Sequence, residues 1–188
     1  MKQKRRRFKQ EVATLGVAQF KFLDESGVTL SLTRLYGRAA PDQRVVESTP
    51  QPSGPPPTTL AVIGLTGITA PLVVPGAVNG TIFYGYIQQC VVPTLNAGDV
   101  LFMDNLSAHK VAGIEALIKD SGAHLIYLPP YSPDLNPIEL AWSKVKTILR
   151  RLKARTFDDL IEALSQALRA ITPQDVRGWF AHCGYAIN

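Results

Sequence analysis

Cysteine is scarce in this chain, and long apolar runs are missing. Only Cys90 and Cys183 occur among 188 residues. They lie far apart and match no metal-ligand spacing, so the thiol content suits a reducing compartment. Histidine is also sparse, and His124 and His182 show no ligand spacing. No apolar run approaches the roughly 18 residues that cross a bilayer. The opening "MKQKRRRFKQ" resembles the start of a twin-arginine export signal, but Glu11, Lys21 and Asp24 interrupt the apolar core such a signal requires. These absences predict a cytoplasmic protein with no membrane partner.

Acidic charge is in short supply as well. Twenty Lys and Arg face fifteen Asp and Glu, giving a formal net charge of +5 and a pI near 9.3. The surplus is uneven. Lys2, Lys4, Arg5, Arg6, Arg7 and Lys9 open the chain, and "KVKTILRRLKAR" carries Lys144, Lys146, Arg150, Arg151, Lys153 and Arg155. Such clusters suit a polyanion, nucleic acid first, although either run alone is equally well read as a solvated tail or helix face.

What is present is ample apolar material. Hydrophobic residues make up 46% of the chain, enough for one domain with a real core. "QFKFLDESG" (19–27) and "VTLSLTRLYG" (28–37) read as strands joined at Gly27, a predicted hairpin. "STPQPSGPPPTT" (48–59), with five prolines, is a loop. "LAVIGLTG" (60–67) and "TAPLVVPG" (69–76) read as further strands, the second displaced to an edge by its prolines. A helical period begins after Asn79, a candidate cap. "DVLFMD" (99–104) is a short buried strand, 109–122 a helix stopped near Gly122, and 123–130 another strand. Helices are predicted over 137–154 and 156–171, the latter capped by Thr156 with Asp159, and a short one from Pro173. Strands followed by alternating helices and strands predict a mixed sheet flanked by helices.

Three acidic residues sit at predicted element ends: Asp24 closing the first strand, Asp104 closing "VLFMD", and Glu139 opening a helix. Ligands collect beyond the carboxyl ends of strands in such sheets, and a carboxylate after an apolar strand needs a partner, such as Mg²⁺. Each residue also has a plain structural reading. Asp24 and Asp104 fit turns. Asn136, Pro137 and Glu139 fit a capping box, with the glutamate favoured by the helix dipole. Asn105 and His109 are equally compatible with substrate contact and with a helix start. Trp142, Val145 and Leu149 form one apolar face, which makes Trp142 core.

"FLDESG", "LFMDNLSAHK" and "LPPYSPDLNPIELAWSKVK" together resemble the three acidic motifs of bacterial insertion-sequence transposases of the six-thirty type, within the mariner superfamily. Asp104 and Glu139 are separated by 34 residues, the spacing of that branch; "TRLYGRA" (33–39) and "TAPLVV" (69–74) are also similar. The resemblance covers about residues 17 to 187. It implies a ribonuclease-H-like α/β fold, a mixed five-stranded sheet flanked by helices, with Asp24, Asp104 and Glu139 as catalytic metal ligands for two Mg²⁺ or Mn²⁺ ions. It implies double-stranded DNA as substrate, cleavage at element ends, strand transfer into target DNA with insertion at TA dinucleotides, and a homodimer in the DNA complex. Lys144, Lys146, Arg150 and Arg151 become candidate DNA contacts, with Asn105, His109 and Asn136 supporting the site from behind. Relatives carry helix-turn-helix modules before the catalytic part. Residues 1–16 read as a basic tail and 17–188 as the catalytic domain, which suggests either the second reading frame of a two-frame element, with the upstream frame supplying those modules, or a truncated copy. A non-catalytic regulatory fragment and a structure-specific nuclease of the same fold are the competing readings.

Overall fold

The computed structural model describes residues 2–49, 51, 54–105 and 110–186. Helix α1 (Lys2–Val12) leads into strand β1 (Phe20–Gly27), then β2 (Thr58–Gly64), β3 (Gly67–Val74), α2 (Gly80–Tyr86), β4 (Val100–Met103), α3 (Ile114–Asp120), β5 (His124–Tyr127), α4 (Pro137–Leu152), α5 (Phe157–Arg169) and α6 (Pro173–His182). The sheet order is β3-β2-β1-β4-β5. The first three strands pair antiparallel, while β1, β4 and β5 run parallel. This is the mixed sheet that the alternation predicted, with the five strands that the family resemblance implied and Pro71 on the edge strand β3.

Each face of the sheet carries its own core. Phe20, Phe22, Ala61, Ile63, Val100 and Phe102 pack beneath α1, α4, α5 and α6. Leu23, Leu60, Val62, Leu101 and Met103 face α2 and α3. The strict alternation follows from the two-residue period of a strand. Nearly every residue of β2 and β4 is buried, which is why both read as continuous apolar runs.

The predicted hairpin between 19–27 and 28–37 does not form. Val28 donates its N–H to the Pro57 carbonyl at 2.9 Å, and the chain then leaves the sheet. The place beside β1 belongs to β2, whose Leu60–Ile63 segment is fully buried there; Leu30 and Leu32 pack only partly against the core. The helix predicted from 109 begins only at Ile114. Gly113 precedes it at φ 93°, a left-handed conformation that starts the helix late. The basic start of the chain is no loose tail: it forms α1, and Phe8 and Val12 on its inner face join the core.

A candidate active-site cleft

The parallel ladder between β1 and β4 sets Phe20 opposite Val100, Lys21 opposite Leu101 and Phe22 opposite Phe102. Continued two residues, this register places Asp24 beside Asp104. Both lie in phase with the phenylalanines of the α4 face, so the alternation aims both at that side of the sheet. Asp24 is the fifth of eight residues in β1, not its last. It is nonetheless beyond the end of β4, whose strand stops at Met103. The neighbour's early end, rather than its own strand's, brings Asp24 to the mouth of the sheet. Asp24 is 7% exposed, and Asp104 is half-buried.

Glu139 arrives by a different route. Between β5 and α4 the segment "LPPYSPDLN" is held from several sides. Leu128, Leu135 and Asn136 are buried. The Tyr185 hydroxyl donates to the Leu135 carbonyl at 2.6 Å, and burial pushes that phenol well above its usual range. Arg5 of α1 donates Nη1 to Ser132 Oγ at 2.8 Å and to Asp134 Oδ1 at 2.8 Å, with Nη2 closing the fork on Asp134 Oδ2. That bidentate contact holds the Asp134 carboxyl below the ordinary carboxylate range. Tyr131 sits on the rim at φ 54°, 87% exposed.

Pro137 occupies the first turn of α4, as expected, and Asn136 is its N-cap residue. The capping box does not form. The Asn136 side chain makes no capping hydrogen bond, and its N–H donates to the Pro133 carbonyl at 3.0 Å. The contrast with α5 and α6 is instructive, since Thr156 with Asp159 and Thr172 with Asp175 both close the reciprocal box. Glu139 remains exposed. The capping account of Glu139 thereby loses its hydrogen bonds and keeps only the helix dipole.

Asp24, Asp104 and Glu139 line one cleft of about 350 Å³, together with Asn105, Asn136 and the 128–133 loop. His109 lies outside the described residues. Among the described residues, no three His, Cys, Asp or Glu side chains close around a single point. The carboxylates instead stand around an open cleft. The donors are hard oxygens, without sulfur or imidazole, which suits Mg²⁺ or Mn²⁺. Asn136 adds a further observation: its Oδ1 is buried without a hydrogen-bond partner, 4% of the residue being exposed. An amide oxygen left so in the wall of a carboxylate cleft is costly unless an incoming group pairs with it. The residue set therefore fits divalent cations with water or phosphate completing their shells.

The basic residues of α4 are less uniform than their sequence run. Lys144 Nζ lies 2.5 Å from Asp175 Oδ2 and ties α4 to α6. Hydrogen bonding from Lys144, then from the Thr172 backbone and hydroxyl, holds the Asp175 carboxyl down to about 2. Lys146 and Arg150 are half-buried and Arg151 is exposed. Arg151 lies about 18 Å along the helix axis from Glu139, at 1.5 Å per residue. Arg5 and Ser132 were not singled out in the sequence. Their partnership joins positions 127 residues apart, a separation that no local pattern reports.

The sheet and its flanking helices form a ribonuclease-H-like fold with a carboxylate cleft, and the chain belongs to the DDE superfamily endonuclease family, whose pattern matches residues 19–161. It is similar to the transposable element Tc1 transposase of Caenorhabditis elegans, with 29% identity over 90 residues, 48% of this chain and 33% of that protein. Its fold resembles the Mos1 mariner paired-end complex with Mn at a TM-score of 0.75 and 13% identity, covering 96% of this chain and 57% of that one. It also resembles the catalytic domain of Mos1 mariner transposase at a TM-score of 0.62 and 11% identity, covering 97% and 91%. The chain thus spans about a third of the Tc1 transposase, just over half of the longer Mos1 chain and nearly all of the Mos1 catalytic domain.

Proposed function

We propose that this chain is the catalytic part of a transposase of the bacterial insertion-sequence six-thirty type, cleaving DNA at element ends and joining those ends to target DNA. The observation that carries the reading is the meeting of Asp24, Asp104 and Glu139 in one cleft, from β1, the end of β4 and the first turn of α4. Asp24 from β1, Asp104 just past the end of β4 and Glu139 from the first turn of α4 are the residues that would hold the ions. Two divalent ions, when bound, supply Lewis-acid stabilisation of the phosphate and an acidified water or 3′-hydroxyl.

The protein's own part is positioning. Asp24 is fixed by its strand, Glu139 by the helix and the anchored loop before it, so little reorganisation accompanies reaction. Attack forms one P–O bond as the opposite P–O bond breaks, with the charge leaving on a 3′-oxygen, so no covalent Ser or Tyr intermediate is needed. Asn105 and Asn136 support the site, Asn136 through its otherwise unpaired Oδ1. The acting species on DNA is a homodimer.

Asp104→Asn and Glu139→Gln are expected to reduce Mg²⁺- or Mn²⁺-dependent nicking of plasmid DNA to background, with melting temperature preserved. Undiminished nicking by either variant overturns the assignment.

A further inference from the structure

We infer that α1, docked beside the loop that lines the cleft, receives the sugar–phosphate backbone of duplex DNA. This rests on the reading that DNA enters the cleft, and it moves the main electrostatic contact from α4 to a helix that the sequence presents as a tail.

Three contacts place α1. Phe8 and Val12 are buried, and the Phe8 ring meets Phe102 edge-on with centroids 5.9 Å apart. Phe102 lies two residues before Asp104 in the chain. On the cleft side, Arg5 grips Ser132 and Asp134, and Ser132 itself lines the cleft. Arg5 therefore ties the helix to the loop that lines the cleft.

With Arg5 spent on that contact, Lys2, Lys4, Arg6, Arg7 and Lys9 remain on the outer surface, all exposed. Among the described residues none of these five forms an ion pair. On α4 and just beyond it, by contrast, Lys144 pairs with Asp175, and Lys153 and Arg155 share Glu47; the remaining exposed cations, such as Lys119, Arg169 and Arg177, are scattered over separate elements rather than gathered on one helix. Five unpaired cations on less than three turns of helix repel one another, and a polyanion relieves that repulsion. The apolar residues of α1 face inward, which leaves no hydrophobic side for a bilayer. The charge has no regular partner geometry for base edges either, so the contact is to phosphates and independent of sequence.

The test compares two charge-matched variants in binding to a mixed-sequence duplex, followed by fluorescence anisotropy over a salt series. One carries Lys4→Gln, Arg6→Gln and Arg7→Gln. The other removes three exposed cations from α3, α5 and α6, as Lys119→Gln, Arg169→Gln and Arg177→Gln. The α1 variant is expected to lose about tenfold or more in affinity and to flatten the slope of log K against log salt by about 2 to 3, near 0.9 per lost phosphate contact. The control variant should change little. Equal losses from both variants overturn the inference, because they report net charge alone. A wild-type chain that binds no duplex overturns the DNA reading itself. As a second readout on the unaltered chain, duplex should shield Lys2, Lys4 and Lys9 from acetylation and leave Lys119 reactive; equal reactivity with and without duplex also overturns it.

Discussion

The connection from β1 to β2 and the connection from β5 to α4 are both rich in proline, yet the second is held at several points and the first chiefly at its start. In the first, Val28 is buried, but further on Leu35, Tyr36 and Val46 are 70, 90 and 82% exposed. What restrains it is peripheral: Lys153 to Glu47, Thr33 to Glu47, and Arg155 to the Leu30 carbonyl. In the second, Leu128, Leu135 and Asn136 are buried, and Arg5 and Tyr185 reach in from opposite ends of the chain. Proline narrows the unfolded ensemble in both cases. Order comes from burying apolar side chains and satisfying backbone groups, which the second connection achieves at several points and the first chiefly around Val28. The held connection is the one that aims Glu139.

The anchors of the second connection can be ranked. Leu135→Ala should have the largest effect on the fold, about 2–5 kcal/mol by chemical denaturation, since it opens a cavity where the loop meets the core. It should also lower nicking beyond what the loss of folded protein explains. Tyr185→Phe removes one donor and leaves the Leu135 carbonyl without its partner, for about 1–3 kcal/mol. A variant as stable as the parent would show that the loop is held without this bond. Arg5→Ala breaks a pair whose Asp134 side chain is 59% exposed, so stability should fall by less than about 1 kcal/mol. The sharper readout there is nicking, which should drop more than stability does if Arg5 helps to position Glu139. The same assay on Asp134→Ala should match it, and the double variant should add little to either. The smallest effect belongs to the other connection: Leu35→Ser with Tyr36→Ser should stay within about 0.5 kcal/mol of the parent.

Much of the fold was legible because its signals are local. The apolar run of β4, the proline and glycine stops, and the Thr156–Asp159 cap each act within a few residues, and each appears where the pattern put it. The hairpin at Gly27 was misread for the same reason. "VTLSLTRLYG" has strand character by itself, but the place beside β1 is won by β2, whose apolar residues bury completely there. Competition among segments for one sheet edge is a property of the whole chain.

The candidate site divides along the same line. The sequence by itself determined the chemistry: three carboxylates in recognisable motifs, a proline-led start to α4 and an excess of positive charge, all carried by residue types and short spacings. Tertiary structure alone decided the geometry. It brought Asp24 to the cleft through the early end of β4, declined the capping box at Asn136, paired Lys144 with Asp175, and turned the basic tail into α1 with Arg5 on Asp134. Each of these joins groups distant in sequence, and a contact between such groups exists only once the folded core has brought their elements together.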